Sequence, residues 1–92
     1  MIDKKIWDDI IQYLVSKDLI NEVAYHIWIK DLDVKFDDSK VIITFNNNIA
    51  KEKFISSYAD IIKKTLYEFN KEEITYEFYT KEEINEKNRS SS

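Results

Sequence analysis

Glycine, proline and cysteine are absent from this 92-residue chain, and histidine occurs once. Without cysteine there is no disulfide and no thiolate metal site. Without glycine there is no flexible backbone loop to cradle a phosphate, so nucleotide hydrolysis within these residues is not expected. His26 stands alone on an expected helix, and general acid–base or metal chemistry ordinarily needs partners beside it. The adjacent carboxylates Asp8-Asp9, Asp37-Asp38, Glu72-Glu73 and Glu82-Glu83 do not share a helix or strand face, so each pair reads as solvated surface. Ser56-Ser57 and Ser90-Ser91-Ser92 have no neighbouring base. The chain is not expected to be an enzyme, and it offers no catalytic, cofactor or metal site.

Charge adds a further exclusion. The net charge is −4, whereas a tight binder of DNA phosphates presents a basic face. No apolar run approaches the roughly 18 residues of a membrane span. The start, Met1 to Ile6, lacks the apolar stretch of a signal peptide. A cytoplasmic location is the expectation. With 43% hydrophobic and 35% charged residues, the composition is that of one small globular domain.

What is present is a change of period along the chain. Ile6, Trp7, Ile10, Ile11 and Leu14 fall on one helical arc, and Asp3 is placed to cap it, predicting a helix over 3–16. A shorter helix is expected over 22–30, capped by Asn21, with Val23, Ile27 and Trp28 or Tyr25 turned inward. The period then becomes two. Leu32, Val34 and Phe36 alternate with polar residues, as do Val41, Ile43 and Phe45, and Asp37-Asp38-Ser39-Lys40 supplies the turn of a β-hairpin. Asn46-Asn47-Asn48 caps a long helix expected over 49–69, with Phe54, Ile55, Tyr58, Ile61, Ile62, Thr65, Leu66 and Phe69 on one face. Ile49 and Tyr67 fall on the other. Ile74, Tyr76 and Phe78 mark a third strand. Residues 80–92 hold one aliphatic side chain and read as a disordered tail or the start of a linker, leaving a domain at 1–79. The expected class is α+β, α-α-β-β-α-β, with a three-stranded sheet packed against helices.

Trp7 in the first helix, Tyr25 and Trp28 in an aromatic-x-x-Trp in the second, Leu32 four residues on, then a strand pair, Asn47 in the loop and Ile49 at the helix start form an ordered series. Over residues 4–79 this series resembles the N-terminal domain (domain I) of the bacterial replication initiator DnaA. The resemblance implies a KH-like layout, although the GxxG loop of nucleic-acid-binding KH domains is missing. It implies a protein-interaction module of a chromosomal replication initiator that self-associates, recruits the replicative helicase and docks regulators of initiation at the origin, with at most weak contact to single-stranded DNA. ATP belongs to other parts of the full-length family, and no cofactor is implied for these residues. By the same resemblance, Ile6 and Trp7 match a self-association patch, while Ala24, Trp28, Asn47, Ile49 and Ala50 match a partner-binding surface. Ala24 stands where relatives often carry an acidic or polar residue, Asp31 where proline is frequent, and Ile49 where phenylalanine is common.

Two other readings compete. One is a KH-like single-stranded nucleic-acid binder, with Tyr67, Tyr76 and Tyr79 stacking bases and Lys51, Lys53, Lys63 and Lys64 meeting phosphates. The other is a free-standing regulator that mimics the initiator domain and competes for its partners.

Overall fold

The computed structural model describes the backbone of residues 2–90 and the side chains of residues 2–85. Helix α1, Lys4–Ser16, starts where the Asp3 carboxylate accepts the Ile6 N–H at 3.0 Å. It buries Trp7, Ile10, Ile11 and Leu14, the arc expected from their spacing. Two residues past its end the chain reverses at Asp18, whose φ of 61° is left-handed. That reversal lets the N–H groups of Leu19 and Ile20 both reach the Leu14 carbonyl, at 3.0 and 3.2 Å, and returns Ile20 to the core.

The second helix departs from the expected regular rod. Glu22–Ala24 forms α2, capped by the Asn21 side chain, and Tyr25–Ile29 is a π-helical turn closed by the Lys30 N–H on the Tyr25 carbonyl at 2.8 Å. The expectation that Val23 and Ile27 face inward is corrected, since each is 64% exposed. Two apolar strips compete on this segment. The strip of Ile20, Ala24, Trp28 and Leu32, flanked by Tyr25 and Ile29, is broader and carries both aromatic rings, so it takes the core side and leaves Val23 and Ile27 outside.

Strands β1, Asp33–Asp37, and β2, Lys40–Phe45, pair antiparallel, with Asp38 left-handed in the turn. Strand β3, Thr75–Thr80, pairs parallel to β2, so the order is β1-β2-β3 and the sheet is mixed. Val41, Ile43 and Phe45 of the central strand are buried against the helices.

The long helix expected over 49–69 is two helices, α3, Asn48–Ser57, and α4, Ala59–Asn70, meeting at Tyr58 with φ −125° and ψ −25°. Neither proline nor glycine causes the break. Helix α3 packs on the sheet and the π-helical turn, placing Phe54 against Phe45 and Phe78 (ring centroids 5.3 and 6.0 Å apart), while α4 packs along α1. One straight rod does not lie along both neighbours. Two residues expected on the apolar face, Ile55 and Phe69, remain exposed, and Phe69 rests against Tyr13 with ring centroids 5.5 Å apart.

The structure also differs over the expected disordered tail. Lys81–Ser90 is a helix, α5. Thr80 Oγ1 accepts the Glu83 N–H at 3.1 Å and Glu83 Oε1 accepts the Thr80 N–H at 2.9 Å, a reciprocal capping box that starts it. Residues 91–92 of that tail lie outside the described residues. The observed order, α-α-β-β-α-α-β-α around a three-stranded sheet, is the α+β class that periodicity predicted.

Candidate docking surface

The resemblance singled out residues from three elements, and the fold brings most of one set together. Asn47 has extended backbone, φ −157°, and its side-chain oxygen accepts the Ala50 N–H at 2.8 Å. It thereby satisfies one of the donors a helix start leaves open. With the first turn of α3 held in this way, Ala50 packs on the core and Ile49 stands 73% exposed. A groove of about 270 Å³ opens beside it, lined by Ile27, Trp28, Leu32, Asn47 and Ala50 among apolar and amide groups, with Asp31, Asp33 and Lys81 at its charged rim.

Trp28, Asn47 and Ala50 therefore share one groove, and Ile49 stands next to Ala50 in the chain. Ala24 is half-buried and does not line the groove. Ile27 is the residue that sequence reasoning placed on the wrong side. Its spacing of four from Val23 was the available signal, since it marks an apolar strip separate from the one carrying the aromatics.

The self-association pair is arranged differently. Trp7 is 5% exposed, with its ring centroid 6.3 Å from that of Phe36. Its edge helps line a second cleft, also of about 270 Å³, together with Tyr25, Ile29, Val34 and Phe36. Ile6 is half-buried. The two grooves share Leu32 as a wall.

Helix α5 reaches the first groove through Lys81 and is tied to α3 by an ion pair. Lys51 Nζ of α3 lies 2.9 Å from Glu83 Oε1. The Lys51 ammonium, and then the Thr80 N–H, hold the Glu83 carboxyl below its ordinary range.

Of the residues named for nucleic-acid contact, Lys63, Tyr67 and Tyr76 line one groove, and Lys51, Lys53, Lys64 and Tyr79 do not. Lys51 is engaged with Glu83. Lys63 lies over the Tyr76 and Phe78 rings, at 5.3 and 5.6 Å from their centroids. Tyr67 and Tyr76 line a groove that also contains Glu72 and Glu73. Carboxylates interrupt any cationic track here, which disfavours phosphate binding.

A three-stranded sheet backed by helices, with a groove of mixed polar and apolar lining at its rim, makes this a small α+β domain, and no cluster of three His, Asp or Glu is placed to hold a metal among the described residues. No described helix is long and apolar enough to cross a membrane. The family model for the DnaA N-terminal domain matches residues 4–68, and the chain belongs to that family. The domain is non-catalytic, and membership implies a role in the initiation of replication.

Proposed function

We propose that this domain is the protein-interaction module of a chromosomal replication initiator, working in the cytoplasm to bring initiators together and to hold the replicative helicase and initiation regulators at the origin. The observation that carries the reading is the exposed Ile49 beside the groove of Trp28, Asn47 and Ala50. An aliphatic side chain in water, next in the chain to Ala50 of the groove that holds the half-buried Trp28, offers the apolar centre that a protein partner desolvates. Each contact is weak, and tethering several initiators along DNA raises their effective concentration enough to make assembly cooperative. Self-association would use Ile6 and the exposed margin of the Trp7 cleft.

The test is calorimetric titration of the domain with the helicase of the same organism. Ile49→Ala and Ile27→Ala keep the core intact, and each is expected to weaken binding by about tenfold. Unchanged affinity in both variants overturns the proposal. The nucleic-acid alternative predicts instead a steeply salt-dependent affinity for a labelled oligonucleotide by fluorescence anisotropy.

A further inference from the structure

The sheet has a second feature, away from the groove just described. Strand β3 is an edge, with β2 on one side and no strand on the other among the described residues. The Thr75 N–H donates to the Ser39 carbonyl at 2.9 Å, toward β2. In a parallel ladder the main-chain groups of alternate residues point the same way. Glu77 and Tyr79 therefore also bond toward β2, and Tyr76, Phe78 and Thr80 turn their N–H and C=O groups outward. The Thr80 N–H is taken by Glu83. Tyr76 and Phe78 are left presenting their main-chain groups along an extended, unbulged strand whose one-to-one register runs from Thr75 to Thr80.

Beside this edge lies a groove of about 520 Å³ between α4 and β3, lined by Lys63, Tyr67, Glu72, Glu73, Ile74 and Tyr76 among others. An edge strand with a helix alongside is the geometry in which an extended peptide adds as a further strand, with alternate side chains entering the groove.

We propose that the outer edge of β3 binds an extended basic peptide segment, which pairs with Tyr76 and Phe78 and sets a cationic side chain opposite Glu77. Charge selects this occupant. Glu72 and Glu73 outnumber Lys63 in the groove, and on the sheet face Glu77 meets Lys40 Nζ at 3.3 Å through Oε2 and accepts the Tyr79 hydroxyl at 2.8 Å through Oε1. A second copy of this chain fits poorly. Two symmetric antiparallel registers stay within β3. One pairs Phe78 with Phe78 and sets Thr80 opposite Tyr76, so it calls on the Thr80 N–H that Glu83 already holds. The second joins Tyr76 of one copy to Phe78 of the other. It places Glu77 directly opposite Glu77, and like charges facing across strands destabilise the pair. A lysine or arginine at that position of the incoming strand removes the conflict. None of Ile27, Trp28 and Ile49 lines this site, so it is independent of the docking groove.

The experiment is an NMR titration of the isotope-labelled chain with the synthetic hexapeptide acetyl-Lys-Val-Lys-Val-Lys-Val-amide. The expected result is saturable shifts and slowed hydrogen exchange at the Tyr76 and Phe78 amides, lost when the peptide backbone is N-methylated or when glutamate replaces lysine. Glu77→Lys, on a half-exposed position, is expected to reverse the preference toward the glutamate peptide. Absence of shifts at those two amides with millimolar peptide overturns the proposal, as does an equal response to the N-methylated or glutamate peptide. Shifts of the same amides with protein concentration alone would make the occupant a second copy and overturn it equally.

Discussion

The Asn47 side-chain oxygen accepts the Ala50 N–H at 2.8 Å, and this bond holds the first turn of α3 in the register that leaves Ile49 in solvent. Asn47 thus shapes the proposed docking surface by fixing a helix start as well as by lining the groove. Replacing it with alanine is expected to cost about 1 kcal/mol of stability in urea titrations, whereas Asn47→Asp retains the acceptor and costs little. If the carboxamide also contacts a partner, Asn47→Asp will weaken binding while leaving the unfolding midpoint in place.

Trp7 and Ile6, both proposed for self-association, differ in burial. Trp7 is buried against Phe36, so Trp7→Ala is expected to destabilise by about 3–5 kcal/mol, a large part of the stability of a small domain. A loss of self-association in that variant would report unfolding. Ile6→Ala, at a half-buried position, is expected to keep the far-UV circular dichroism while shifting sedimentation toward the monomer. An unchanged sedimentation profile would remove Ile6 from the interface.

Tyr76 sets an alkaline limit. Burial pushes its phenol up to about 12, and its hydroxyl is buried without a hydrogen-bond partner. The folded state favours the neutral phenol, whereas the unfolded chain ionises near pH 10. The contribution is therefore full below about pH 10 and is lost as the pH rises toward about 12. Tyr76→Phe is expected to be neutral or stabilising at neutral pH, because it removes an unsatisfied polar atom. Its stability should then fall less steeply than that of the parent chain in alkaline denaturation series.

Asp18 and Lys71 occupy left-handed backbone, with φ of 61° and 60°, at the ends of α1 and α4. A side chain in this region is sterically costly, and glycine is the usual residue after a helix end. Asp18→Gly and Lys71→Gly are each expected to raise stability by about 0.5–1 kcal/mol, read as a higher thermal midpoint. A lower midpoint in both would show that the side chains there make contacts worth more than the strain.

Much of this architecture was legible from residue spacing. The arc of α1, the two alternating runs of the hairpin, the Asn47 cap and the third strand follow from local periodicity. So does the position of Ile49 off the apolar face of its helix. The break at Tyr58 was not legible, because no proline or glycine marks it and its cause is the differing direction of two neighbours, the sheet and α1. Helix α5 was hidden by its polar composition, although Thr80 and Glu83 stand at the spacing of a capping box.

Order along the chain settled which residues become helix and strand, since backbone preference and side-chain period act within a few residues. It also left the chain without a thiol or a glycine loop. Packing settled the rest. It put Trp7 inside and Val23 and Ile27 outside, turned Tyr58 into a joint, gathered Trp28, Asn47 and Ala50 around one groove, and left the edge of β3 without a neighbouring strand among the described residues. Each of those outcomes depends on which surface of one element is covered by another distant in sequence, and burial is a property of the assembled contact rather than of either segment alone.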